Sequence, residues 1–335
     1  MSAVTTTPGF RRLAALAAAL ALVVVVFGAF VRLSNAGLSC PDWPTCYGRL
    51  AWPKHEADIA RANEAFPERP VESHKAWREQ VHRFLAGGLI VATFALAGWA
   101  WRRRHERGQP WKVPIAASFL IVFQALLGMW TVTWKLKPIV VMAHLLGGMA
   151  TFALLCWIAF RSIGGATTRG AGPKRALIVV GITLLALQIA LGGWTSANYA
   201  ALACGMDYPT CLGSWRPQTD FREAFVLWRG IGVDYEGGVL DGTARTAINL
   251  SHRWFAVLVA GHLLALAWRC TRLPGWRTAG FALAGAVAAQ FALGIANVLA
   301  GLPLAVASAH NAGAAVLLAI LTWMLARATP RGSAS

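Results

Sequence analysis

Eight stretches of this chain stay apolar for about 20 residues or more, the length of α-helix that crosses roughly 30 Å of hydrocarbon. They lie at 11–34, 79–101, 113–134, 138–160, 175–197, 247–268, 277–299 and 303–326. Runs of that number and length imply an all-α polytopic membrane protein. Composition agrees: of 335 residues, 57% are hydrophobic and only 13% charged, too apolar for a soluble chain of this size. Trp99, Trp101, Trp111, Trp130, Trp134 and Trp268 fall near the ends of these stretches, where indole rings favour the membrane–water boundary.

A net charge of +17 would suit a nucleic-acid binder, but its distribution argues against that. The segments joining spans two to three, four to five and six to seven, with both termini, carry 16 Lys and Arg against the single acid Glu106. Arg102, Arg103, Arg104, Arg107 and Lys112 are among them. The opposite side holds 15 basic residues and 13 acids. By the positive-inside rule the termini are cytoplasmic, and two long loops, 35–78 and 198–246, face outward. The first ten residues are too short for a targeting presequence and no small-residue cleavage site follows, so the first span reads as retained. A multi-pass protein of a bacterial inner membrane, with periplasmic loops, is the expectation.

An ordered set of chemically capable residues recurs along these spans. The first half has Cys40 and Cys46, then Glu79-Gln80-Val81-His82-Arg83, then Gln124 and Gly128, then His144. The second has Cys204 and Cys211, then Asn249-Leu250-Ser251-His252-Arg253, then Gln290 and Gly294, then His310. Offsets are 164 and 165 for the cysteines, 170 and 166 for the histidines, and 166 for Gln and Gly. A repeat of this length implies a duplicated unit. The fold expected is two pseudo-symmetric four-helix bundles, residues 1–165 and 166–335.

The cysteines sort by side. Cys40, Cys46, Cys204 and Cys211 fall as one pair in each outer loop, whereas Cys156 and Cys270 stand singly in or near the membrane. An oxidising exterior favours two short disulfides. The competing reading is a metal clip, although two cysteines without a local histidine pair make a poor zinc site.

Histidines sort by depth. His55 and His74 lie in a polar outer loop and His105 in the basic turn, as ordinary surface residues do. His82, His144, His252, His262 and His310 fall within spans, where an ionisable residue is costly and marks function. His82 and His144, like His252 and His310, lie within about 5–11 Å of the outer boundary, so each pair is level. Two level imidazoles facing one another in a helix bundle suit axial ligation of a haem iron. The plainer alternative is a polar side chain holding helices together; four at one depth, paired by duplication, favour ligation. His262 is about 15 Å deeper than His252 and turned roughly 80° away, which suits a hydrogen-bonded interior residue.

Arg83 and Arg253 follow the first histidine of each pair. They suit either haem propionates or a side chain snorkelling to the interface. Glu79, three residues before His82 on the same helical face, has the non-ionisable Asn249 as its counterpart. A carboxylate beside one site only suggests proton-coupled chemistry there and a merely held cofactor at the other. The alternative is an acid favoured by the helix N-terminus.

Taken together these residues resemble the haem A synthase family. The likeness covers nearly the whole chain: eight spans in two halves, loop cysteine pairs, Glu-x-x-His-Arg at 79–83, His-Arg again at 252–253, and one histidine in each of the fourth and eighth spans. The loop opening Val31-Arg32-Leu33-Ser34-Asn35-Ala36-Gly37-Leu38-Ser39-Cys40 is also similar. The resemblance implies oxidation of the C8 methyl of haem O to the formyl group of haem A, by successive hydroxylations and loss of water, for terminal cytochrome oxidase. It implies a haem b cofactor on His252 and His310. It implies substrate haem on His82 and His144 with Glu79 essential nearby, and disulfides Cys40–Cys46 and Cys204–Cys211. Implied partners are a haem O synthase that delivers substrate, an electron-transfer partner and the oxidase assembly route; a homo-oligomer is compatible. No nicotinamide or flavin fingerprint is present, since the string from Gly164-Gly165 to Gly172 lacks the strand–turn–helix setting. The reading from another class is a di-haem b-type cytochrome that carries electrons from quinol, with permanent haems in both halves.

Overall fold

The computed structural model describes residues 6–106, 108–163 and 172–330; Arg107 and Gly164-Gly165 lie outside the described residues. Among the described residues there are ten helices: α1 (Pro8–Leu33), α2 (Glu56–Ala65), α3 (Ser73–Arg102), α4 (Lys112–Thr133), α5 (Pro138–Ser162), α6 (Arg175–Ala197), α7 (Phe221–Ala224), α8 (Gly242–Thr271), α9 (Arg277–Leu299) and α10 (Leu304–Ala328). All but α2 and α7 are long and apolar enough to cross a membrane, which makes eight candidate spans among the described residues. The chain is an all-helical multi-pass membrane protein.

The helix ends follow local chemistry. Pro8 opens α1, where its missing N–H costs nothing, and the Thr7 hydroxyl accepts from the Phe10 N–H at 3.4 Å. α1 stops where Asn35 turns left-handed at φ 50°, and α6 stops at Tyr199 with φ 53°, 164 positions later. The largest departures from the hydropathy reading are the starts of α3 and α8. These helices begin at Ser73 and Gly242 rather than near 79 and 247, because their opening turns are polar and carry helix without carrying hydropathy. The Asp241 carboxylate starts α8 by accepting from the Ala244 N–H at 2.8 Å.

Neighbouring helices pack in two rings, α1–α3–α4–α5 and α6–α8–α9–α10, joined through α1 with α10, α5 with α6 and α5 with α10. Thus α3 and α5 stand diagonally across one ring, and α8 and α10 across the other. The main apolar core joins Phe10 and Ala14 of α1, Leu96 of α3, Leu155 of α5, Leu263 of α8 and Leu283 of α9, at the end away from the long loops. Toward the loops the filling thins. Residues 141–148 of α5 and 310–314 of α10 are only half-buried, although these are the helices with most neighbours around them.

The long loops close over that end. Both disulfides, Cys40–Cys46 and Cys204–Cys211, are formed, while Cys156 and Cys270 are buried free thiols. The second loop reaches across to the first half. Tyr235 is 1% exposed among Leu38, Val132 and Leu136, and its N–H donates to the Lys135 carbonyl at 3.1 Å. Arg69 pairs with Asp234 and Glu236, each at 2.6 Å.

Candidate functional site

The four paired histidines take matching places on diagonal helices. His82 is the tenth residue of α3 and His252 the eleventh of α8, whereas His144 and His310 are each the seventh of α5 and α10. All four are half-buried at the thinly filled end. His82 and His144 thus belong to one ring of helices, and His252 and His310 to the other.

Each ring rests on a glycine of the adjacent helix. A methyl placed on Gly28 would lie 2.8 Å from His82 Cε1, and on Gly192 3.1 Å from His252 Cε1. On Gly128 it would lie 3.3 Å from His144 Cε1, and on Gly294 3.2 Å from His310 Cε1. The repeated Gln-(three)-Gly spacing thereby gains a physical account. The glycine seats a histidine ring, and the glutamine one turn earlier fills the room left by Gly147 or Gly313 on the histidine's own helix. Gln290 Nε2 also donates to the His310 carbonyl at 3.0 Å.

Two of these positions escape a reading based on chemically reactive residues alone. Gly28 interrupts an apolar run, and its only signal is the offset of 164 to Gly192, the same as that from Cys40 to Cys204. Gln188 of α6 lies with its amide nitrogen 3.0 Å from His252 Nδ1 and donates to the His252 carbonyl at 3.1 Å. At the same offset the first half has Val24. His82 Nδ1, His144 Nδ1 and His310 Nδ1 are buried without a partner.

Glu79 is 5% exposed. Its carboxylate accepts from the Cys40 N–H at 2.9 Å, the Ser39 hydroxyl at 3.3 Å and Arg83 Nη2 at 2.6 Å. Asn249 meets the equivalent loop with reversed polarity, donating to the Ala200 and Ala201 carbonyls at 2.8 and 2.9 Å. The two arginines hold the disulfide loops, a role neither of the two sequence-based readings contains. Arg83 Nη1 donates to the Asp42 and Thr45 carbonyls at 2.9 and 2.5 Å; Arg253 Nη1 donates to those of Asp207 and Thr210, both at 3.0 Å. Arg253 keeps Nε and Nη2 buried without partners.

Each loop is also folded around an aspartate. Asp42 accepts from the Tyr47 and Gly48 N–H groups at 2.6 and 2.8 Å, and Asp207 from the Thr210 hydroxyl at 2.7 Å and the Gly213 N–H at 2.6 Å. The Thr210 hydroxyl, then the Gly213 N–H, hold the Asp207 carboxyl below the usual carboxylate range. The remaining histidines sit as expected: His262 Nε2 lies 3.0 Å from the Leu177 carbonyl, and His55, His74 and His105 are exposed.

No three His, Cys, Asp or Glu side chains cluster as a metal cage among the described residues. Axial ligation of a porphyrin iron asks for less, because the macrocycle brings four nitrogens and the protein two. The residues fit such a group on three counts: imidazoles on diagonal helices, glycines that seat their rings, and incompletely filled surroundings.

Residues 11–322 match the family described as cytochrome oxidase assembly protein. A relative from Shewanella oneidensis, named heme A synthase, is 41% identical over 90% of this chain and 91% of its own. Relatives of the same name from Sphingopyxis alaskensis and Rhizorhabdus wittichii are 32% and 30% identical over 92% of this chain, covering 89% and 90% of their own. The match reaches all eight candidate spans, and the chain belongs to the haem A synthase family of cytochrome oxidase assembly proteins.

Proposed function

We propose that this protein is itself a haem A synthase, an oxidoreductase that converts the C8 methyl of haem O to a formyl group through successive hydroxylations. The observation that carries the reading is the 41% identity to a heme A synthase over 90% of the chain. Two level histidine pairs agree with it. In this reading residues 1–165 hold the substrate and residues 166–335 a haem b cofactor. The long loops lie on the periplasmic side of the inner membrane and the termini in the cytoplasm.

Oxidising an unactivated methyl is beyond any side chain here, and a bound haem iron supplies that chemistry. The chain orients and shields. His82 and His144 set the plane of the substrate macrocycle, while His252 and His310 hold the cofactor. The disulfide loops, clamped by Arg83 and Arg253, cover the end where the pairs lie and keep bulk water from the reacting edge. Glu79, anchored to Cys40 and Arg83, is the group beside the first pair that takes up and releases protons.

The division of roles is supported by two differences between the halves. Glu79 is ionisable and Asn249 is not. Gln188 packs its amide against the His252 ring and donates to the His252 carbonyl, fixing that side chain; Val24 offers His82 no such contact. A fixed side chain suits a permanent cofactor, whereas a substrate must leave.

Co-expression with a source of haem O, followed by extraction of haems, tests the proposal. Haem A should accumulate in wild type. Glu79→Gln should retain the firmly bound haem b and make no haem A, and His252→Ala should lose the haem b. Saturating haem b at both sites with no conversion of haem O would instead establish the di-haem cytochrome, and normal haem A in Glu79→Gln would remove the carboxylate from the mechanism.

A further inference from the structure

Two cations lie above the first histidine pair without any anion. Arg78 is four residues before His82 on α3, about 6 Å toward the loops and nearly on the same face. Its guanidinium has no hydrogen bond or ion pair; Nε is buried, and the group lies 5.2 Å from the Phe30 ring and 5.8 Å from the Trp77 ring. Phe30 leads back to the site through Phe27, whose ring centroid is 6.5 Å from that of His82. Lys137 caps α5 seven residues before His144, two turns toward the loops and again on nearly the same face. It is 1% exposed, and its Nζ has only π partners, the rings of Trp228 at 3.3 Å and Trp134 at 5.3 Å.

A buried ammonium without a counter-ion, as at Lys137, is costly and ordinarily has an anion to meet; Arg78 is half-buried, with Nε out of solvent and no anion on it. The obvious arginine is already engaged. Arg83 gives its guanidinium to Glu79 and the loop carbonyls. The second half differs at each position. The counterparts at offsets 170 and 166 are Ile248 and Pro303, which cannot ionise, and there Arg253 retains unpartnered buried donors.

We propose that Arg78 and Lys137, one on each helix of the first histidine pair, bind the two carboxylates of the substrate macrocycle and so fix its rotation about the iron axis. The proposal rests on the assignment of the first half as the substrate site. A ring held by two axial histidines alone is free to turn about them, and a reaction at one particular methyl requires that freedom to be removed. Two charges at different heights supply the constraint, because a carboxylate pair can reach both in few orientations. The second half, which in this reading only holds its cofactor, has no need of the same pair.

The test uses full-length purified protein with its second site loaded. It is titrated with haem b and, separately, with haem b dimethyl ester, whose carboxylates are neutral. First-site binding is the Soret change absent from His82→Ala. Wild type should bind the free acid 10-fold or more tightly than the ester. Arg78→Gln/Lys137→Gln should weaken the acid by 10- to 100-fold, leave the ester unchanged and retain the second-site spectrum, which reports an intact fold. Arg78→Lys and Lys137→Arg should each recover most of the loss. Equal binding of acid and ester by wild type, or undiminished acid binding by the double variant, overturns the proposal. No His82-dependent binding of either compound overturns the substrate-site assignment itself, and the proposal with it.

Discussion

At the scale of single residues the decisive contacts are steric. The histidines announce themselves because an imidazole inside a span is costly, but their rings are seated by glycines whose importance lies in lacking a side chain. Gly28 is the tightest of the four, with 2.8 Å between a virtual methyl and His82 Cε1 against 3.3 Å for Gly128 and His144. Overpacking of this kind typically costs about 1–3 kcal/mol. Gly28→Ala should therefore displace His82 and abolish His82-dependent haem binding, whereas Gly128→Ala should weaken binding only several-fold. Soret titration of the two variants measures the difference, and equal behaviour would show that ring seating does not depend on these glycines. Glu79 was visible as an asymmetry in the sequence. Its bonds to Cys40 and Ser39 were not, since they join residues about 40 positions apart; the Arg83 pair is a local i,i+4 contact on α3.

Whole elements depend on how closely their backbones approach. Without a hydrophobic drive between helices in lipid, association rests on packing of small residues. Gly280 of α9 is the clearest instance: a methyl there would fall 2.7 Å from the Ala267 carbonyl oxygen and 2.8 Å from the Thr271 nitrogen of α8. Backbone atoms cannot swing aside as a side chain can. Gly280→Ala should separate the ends of α8 and α9 and cost about 1–3 kcal/mol, lowering the midpoint of thermal unfolding in detergent. An unchanged midpoint would mean that the contact is slack. Spans were legible in the sequence to within a few residues, except where α3 and α8 begin outside the apolar stretch, because hydropathy registers burial in lipid and not helix as such.

Across the whole molecule, the second loop meets the first half through the Trp228 ring over Lys137, the buried Tyr235 and the ion pairs of Arg69. Arg69 with Asp234 and Glu236 is solvent-accessible on both sides, and such pairs contribute roughly 0–1 kcal/mol each, less in salt. Tyr235 at 1% exposure buries a large ring among Leu38, Val132 and Leu136, and truncating a buried aromatic costs about 3–5 kcal/mol. Packing therefore dominates. Limited proteolysis of the 198–241 loop should be faster in Tyr235→Ala and scarcely altered in Arg69→Ala at physiological salt. A larger effect from Arg69→Ala would reverse that ranking.

Periodicity, offset and composition are properties of the chain itself. They are enough to establish eight spanning helices, a repeat near 166 residues, the paired cysteines and the four histidines as a set. Which residues meet is a matter of distance in space. That α3 opposes α5 across a ring, that Gly28 seats His82, and that Arg83 clamps a loop were decided by tertiary packing. So was the second loop's cover over Lys137 in the opposite half. A span's apolarity fixes how deep a side chain sits, since depth follows from the rise per residue. Its rotation toward a neighbour depends on the shape of that neighbour, which no single stretch of sequence contains.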